Sequence, residues 1–140
     1  MEGFSVAEIV AQLDLAPHPE GGHFRETFRD EHGTAILYLL EAGECSHWHR
    51  VMGSAETWHH LAGGPLALTL SPNGHDAEAH RLGKALAMGE MPQHTVPADW
   101  WQTAESLGHW TLCACTVAPA FSFENFEMAP PDWRPMPRSS

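Results

Sequence analysis

The feature that most constrains this chain is a change of hydrophobic period near residue 17. Before it, Val6, Ile9, Val10 and Leu13 recur at helical spacing. Ser5-Val6-Ala7-Glu8 carries the capping-box pattern, with Phe4 and Ile9 spaced for a hydrophobic staple. Pro17 and Pro19 cannot continue a helix, so the pattern predicts one short amphipathic helix within residues 1–16. After it the apolar runs are too short for helices. They cover residues 23–29, 34–40, 46–51, 56–61, 65–70, 78–82 and 110–117, with Gly43, Gly53, Gly63-Gly64, Pro72-Asn73-Gly74 and Gly83 among the separators. Short strands at this interval predict a mainly β sandwich or barrel behind the opening helix.

The 140 residues suffice for one core and are few for two, so 1–140 is expected to be a single domain. The stretch 130–140 carries four prolines and ends in two serines, which predicts a surface or frayed tail. Seven Lys and Arg stand against eighteen Asp and Glu, and Lys84 is the one lysine. No basic stripe exists to neutralise phosphates, so nucleic acid is not an expected partner. The longest apolar runs, such as 35–40, fall far below the roughly 20 residues that span a bilayer, and no membrane partner is expected. Cys45, Cys113 and Cys115 form an odd set, and no basic segment precedes an apolar run at the N-terminus. Both points favour a reduced, cytoplasmic protein over a secreted disulfide framework.

The chemistry concentrates in two adjacent strands. In extended backbone alternate side chains share a face, so His47 and His49 are expected to project together with Trp48 opposite. The same parity groups Glu56, Trp58 and His60 on one face of the next strand, and Thr57, His59 and Leu61 on the other, unless a bulge shifts the phase. Two imidazoles and a carboxylate suit one divalent metal (Fe, Mn, Ni or Zn) with positions left for water or substrate. A metal-free polar cluster is the alternative.

These residues resemble a known family. Gly43, His47-x-His49, Glu56 and Gly63 are similar to the first conserved motif of the cupin superfamily, with the interval from His49 to Glu56 about two residues longer than usual. Val96-Pro97-Ala98-Asp99-Trp100-Trp101-Gln102 resembles the second motif, Pro-x-Gly-x-x-His. Asp99 stands at its glycine and Gln102 at its last metal-binding histidine. Aspartate tolerates the left-handed conformation, whereas a Gln carbonyl is a poorer ligand than imidazole for the softer metals. From about residue 14 to 128 the chain resembles a small single-domain cupin branch through His18-Pro19-Glu20-Gly21-Gly22-x-Phe24-Arg25-Glu26, Ser46-His47-Trp48-His49-Arg50, Glu56-x-Trp58-His59 and Cys115-Thr116-Val117-Ala118-Pro119-x-Phe121-x-Phe123. The resemblance implies a jelly-roll β-barrel and a homodimer. It also implies a pocket comparable with that of deoxysugar-nucleotide epimerases.

The residues expected at the pocket are therefore His47, His49 and Glu56 as base or metal ligands, Gln102 as an orienting group or fourth ligand, and Arg25, Glu26, Trp58, His59 and His60 toward substrate. Arg25 would clamp an anionic group or form a structural ion pair with Glu20 or Glu26. Strand parity favours His60 over His59 for the pocket, and the family blocks favour His59. His23, His32, His75, His80 and His109 lie among turn-like sequence and read as solvated. The first functional reading is an isomerase- or epimerase-like enzyme acting on a small polar metabolite, a sugar or a carboxylate, through a histidine base or a metal. A non-catalytic small-molecule binding module is the second, and a metal-dependent oxygenase the third.

Overall fold

The computed structural model describes residues 3–138. The helix α1 (Val6–Leu13) opens as its sequence predicts: Ser5 Oγ accepts the Glu8 N–H and the Glu8 carboxylate accepts the Ser5 N–H. It ends sooner than the prolines require. Asp14 adopts the left-handed conformation at φ 54°, and its N–H reaches the Ala11 and Val10 carbonyls, three residues before Pro17.

Eleven strands follow among the described residues: β1 (Ala16–Pro17), β2 (His23–Asp30), β3 (Gly33–Glu41), β4 (Cys45–Val51), β5 (Ala55–Gly63), β6 (Leu66–Ser71), β7 (Glu78–Leu82), β8 (Gln93–Val96), β9 (Trp101–Ser106), β10 (Trp110–Ala118) and β11 (Phe126–Met128). All seven runs read from the sequence are strands, to within a residue or two. Strands β1, β8, β9 and β11 are not among them. Gln93-His94-Thr95-Val96 and Trp101-Gln102-Thr103-Ala104 alternate weakly, and β11 has only three residues.

The strands form two antiparallel sheets, one of six strands in the order β1-β2-β3-β10-β5-β8 and one of five in the order β11-β4-β9-β6-β7. This is the jelly-roll β-barrel expected. Between the sheets lie Tyr38, Leu40, Trp58, Leu66, Leu68, Leu70, Val96, Cys113 and Cys115. The alternate residues of β3 and β10, Leu39 and Leu112, are equally buried, because α1 covers the outer face of the six-stranded sheet with Ile9, Val6, Val10 and Leu13. Burial on both faces explains why β3 reads as an unbroken apolar run.

Residues 130–138 are largely exposed and are tied down, while Ser139 and Ser140 of the expected tail lie outside the described residues. Trp133 packs against Trp101 and Trp48 with ring centroids at 4.6 and 5.5 Å, and the Met136 N–H bonds the Gly74 carbonyl.

Candidate functional site

One end of the barrel holds a cavity of about 60 Å³ between the two sheets. A void of that size takes a few non-hydrogen atoms, against about 150 Å³ for a benzene-sized guest. Its polar pole consists of His18 and Glu20 from the turn before β2, His49 on β4 and Glu56 on β5. Its wall is apolar: Phe24, Ile36, Val51, Val117, Phe121, Phe123 and Phe126.

His49 reaches this pole because β4 is irregular. Ser46 pairs with Ala104 and His49 with Gln102, so β4 carries one more residue than β9 over that step. The extra residue lets Ser46 and His49 both face inward although they are three apart. His47 is thereby turned out of the cavity, and its Nε2–H donates to the Pro130 carbonyl at 2.9 Å. The parity argument that grouped His47 with His49 fails here, at the bulge.

The His49 ring is oriented from one side. Its Nδ1 lies 2.7 Å from the His47 carbonyl oxygen and 3.0 Å from Glu20 Oε2, both acceptors, so Nδ1 carries the proton and Nε2 keeps its lone pair. His18 has the opposite tautomer, because its Nδ1 accepts the Glu20 backbone N–H at 3.1 Å. Glu20 can be this deep because Gly21 and Gly22 turn the chain with φ of 112° and 79°. A Cβ on Gly21 would overlap the Cys45 carbonyl, and one on Gly22 would lie 2.7 Å from the Tyr38 ring.

Glu56 faces His49 from the opposite sheet and is held by Gln102, whose amide donates to Glu56 Oε1 at 2.9 Å while its own oxygen accepts the Trp58 indole N–H at 2.7 Å. All three residues are buried. Both hydrogen bonds use the Gln102 amide as a bridge, which leaves its carbonyl oxygen spoken for. The four-donor set of His47, His49, Glu56 and Gln102 does not converge, and among the described residues no group of three or more His, Cys, Asp or Glu side chains does so at a metal-sized point. The residues present do not fit a bound divalent ion at this pole.

The remaining expected residues divide. Glu26 lines the cavity, and Arg29 grips it in a fork at 2.7 and 2.8 Å while donating to the Phe121 carbonyl at 2.8 Å. Arg25 is exposed on the other face of β2 and does not line the cavity. Trp58 is buried in the core and touches the site only through Gln102. His59 projects outward to Thr116 Oγ1 at 3.2 Å. His60 has inward parity but lies two pleats beyond Glu56, bonded to the Gly64 carbonyl at 3.0 Å beside a second bulge, and it does not line the cavity. Asp99, in the glycine position of the second motif, has φ 72° and accepts the Gly53 N–H at 2.9 Å.

Sequence reasoning missed His18, Glu20 and the phenylalanine wall as site residues. The signal was present in the blocks His18-Pro19-Glu20 and Phe121-x-Phe123, but neither pattern specifies which core it joins.

Burial sets the electrostatics. It pushes the Glu20 carboxyl up to about 8 against nearby Ser46 and Tyr38 hydroxyls, and the Glu56 carboxyl up to about 7 against the pull of His49. It lowers His18 to about 4, with His49 adding to the effect, and lowers His49 as well. Near neutral pH the pole therefore holds a basic imidazole nitrogen facing a carboxyl group poised to give or take a proton.

Comparison with known proteins adds family and fold. The family model described as Cupin superfamily (DUF985) matches residues 7–129. A solved protein from Shewanella oneidensis is 32% identical, with a TM-score of 0.84 over 90% of this chain and 85% of its own. A hypothetical protein from Leishmania major is 27% identical, with a TM-score of 0.82 over 90% and 88%. Oxalate decarboxylase from Bacillus subtilis is 15% identical, with a TM-score of 0.65 over 83% of this chain and 30% of its own, a likeness of fold alone. No curated protein matches the chain in sequence.

Proposed function

Because the chain belongs to the DUF985 family of the cupin superfamily, we propose that its barrel cavity is the active site of an isomerase- or epimerase-like enzyme working by metal-free proton transfer on a small carbonyl compound. The observation that carries this reading is the pairing of His49 and Glu56 across the cavity, with the imidazole lowered and the carboxyl raised to about 7. Burial that keeps the imidazole neutral while it raises the carboxyl pushes the two groups apart, and so supplies a general base and a general acid together.

In the proposed step His49 Nε2 takes the proton from the carbon beside the substrate carbonyl. Glu56 gives its proton to the carbonyl oxygen, and a neutral enol results. Return of a proton from the imidazolium to the same face of the carbon, with the enol hydroxyl proton passing back to Glu56, restores both groups and exchanges the hydrogen with solvent. Epimerisation follows when the enol turns over in the cavity before it is reprotonated. A carbonyl shift follows when the neighbouring carbon bears a hydroxyl whose proton, rather than that of the new enol hydroxyl, passes to Glu56 as the first carbonyl carbon is protonated. Glu20, 3.0 Å from His49 Nδ1, accepts the Nδ1–H together with the His47 carbonyl and so keeps the productive tautomer. The apolar wall excludes water from the enol.

A binding module is the second reading, favoured by the predominance of phenylalanine in the lining. The test is hydrogen exchange. Small molecules that co-purify with untagged protein are identified by mass spectrometry, and those bearing a carbonyl are returned to the protein in D2O. Deuterium appearing at the adjacent carbon with wild-type protein, and not with His49→Ala, supports the enzyme. A retained carbonyl compound recovered without deuterium after prolonged incubation overturns it in favour of the module.

A further inference from the structure

We infer that the compound bound in this cavity is a small organic cation, a carbonyl-bearing amine that places its ammonium group against the carboxyl-lined part of the cavity and carries no carboxylate or phosphate. The inference rests on the same cavity as the proposed proton transfer and names its substrate class.

Four observations converge on it. First, Glu20, Glu26 and Glu56 all line the cavity, and no lysine or arginine does so. The nearest guanidinium, Arg29, is consumed by Glu26 and by the Phe121 carbonyl, and Arg25 faces away on the outer side of β2. An anionic ligand would meet carboxyl groups with no counter-charge, in a setting where burial amplifies the repulsion. A clamp for a substrate carboxylate or phosphate is therefore missing from the place where one is needed.

Second, the pole keeps acceptors for an ammonium. His49 Nδ1 is committed to the His47 carbonyl and Glu20, which leaves the Nε2 lone pair. Glu56 Oε1 accepts from Gln102 and leaves Oε2. Beside these acceptors stand the His18 Nε2–H, since Nδ1 accepts the Glu20 N–H, and the Thr34 hydroxyl, which accepts the Phe121 N–H. The acceptors suit a ligand that brings N–H donors, and an ammonium brings three.

Third, the lining includes Phe121, Phe123 and Phe126, the last with its ring centroid 5.4 Å from that of His49, and Phe24, 4.5 Å from His18. The three C-terminal rings stand nearly perpendicular, at 82°, 70° and 74° to one another. Their faces attract cations and offer nothing to an anion. Fourth, the cavity of about 60 Å³ admits a head group of a few atoms, the size of a substituted ammonium rather than of a sugar ring.

The full-length protein is titrated by NMR with three probes that share an isobutyl group: isobutylammonium and isobutanol, which are isosteric, and the larger isovalerate. Isobutylammonium is expected to bind about tenfold or more tightly than either of the others, with shifts at His49 and the Phe121–Phe126 segment. Glu56→Gln is expected to remove most of that preference while leaving the isobutanol affinity within about threefold. Phe126→Leu, which keeps the carboxyls, should weaken isobutylammonium more than isobutanol if ring faces contribute. Equal or tighter binding of isobutanol or isovalerate overturns the inference. So does failure of isobutylammonium to bind below about 10 mM, where even a five-atom ligand should register. Deuterium exchange reads the other claim separately. Loss of exchange with retained ammonium selectivity overturns proton transfer alone, and the reverse result overturns only the ligand class.

Discussion

Glu20 Oε2 stands 3.0 Å from Nδ1 of His49, a contact between a residue in the turn that leads into β2 and one in the middle of a strand of the other sheet. It fixes which imidazole nitrogen is available to the cavity. It also ties the turn geometry of Gly21-Gly22 to the chemistry of the barrel. Glu20→Gln keeps the shape of the contact and removes its titratable carboxyl. The exchange rate is expected to fall roughly 10- to 100-fold, and the inflection that Glu20 ionisation at about 8 gives the wild-type pH profile to disappear. A rate loss that leaves the inflection in place would reduce Glu20 to a packing role.

The bulge in β4 makes a sharp distinction between two histidines that sequence parity treats alike. His49→Ala should lower exchange about 100-fold or more, the ordinary contribution of a positioned general base. His47→Ala loses only the bond to the Pro130 carbonyl and should stay within about threefold of wild type. Comparable losses at both positions would contradict the placement of His47 outside the cavity.

Gln102 satisfies two buried partners at once, so its removal should be costly for stability. Gln102→Leu conserves volume but strands the Trp58 N–H and one Glu56 oxygen, and a loss of about 3 kcal/mol is expected in urea unfolding. In that background Trp58→Phe should cost less than it does in wild type, since the indole N–H has already lost its acceptor. Strict additivity of the two substitutions would rule out the bridge.

The buried carboxyls give stability a definite dependence on pH. With Glu20 raised to about 8 and Glu56 to about 7, the folded chain holds protons between about pH 4.5 and those values that the unfolded chain has released. Their contribution is present in full below pH 4.5 and is lost as pH rises through the folded values. His18, lowered to about 4, and His49 act in the opposite sense: their contribution is lost as pH falls below the ordinary histidine value of 6.5. The two effects offset each other in the acid range, and from pH 6.5 to about 8 the carboxyls act alone. The urea midpoint should fall over that interval, and the fall should be smaller in Glu56→Gln. A midpoint that climbs there would show that the carboxyls are ionised in the folded state.

The donor set also predicts the response to chelation. With His47 bonded to Pro130 and the Gln102 oxygen to Trp58, dialysis against EDTA should leave the melting temperature and any exchange activity unchanged. Near-stoichiometric zinc, iron, nickel or manganese in protein prepared without a tag or chelator would require the pole to rearrange on metal binding.

The residues themselves determined the class of fold. Helical spacing closed by a capping box, then short alternating runs between glycine- and proline-rich turns, admits little other than a small barrel behind one helix, because those periods follow from local backbone geometry. Glu56 was legible as an inward residue for the same reason, since alternation within one strand assigns faces, whereas His49 and Glu26 were legible through the blocks that resemble the cupin motifs. Tertiary structure decided everything that depends on relations between strands. One extra residue in β4 against β9 sent His47 outward, and a second irregularity between β5 and β10 left His60 bonded to Gly64, since a bulge exists only in the pairing of two strands and not in either sequence. Which partner Gln102 found, and that Glu20 rather than Arg25 would complete the pole, likewise depended on residues far apart in the chain meeting in a water-poor interior, where an unpaired polar group is too costly to leave alone.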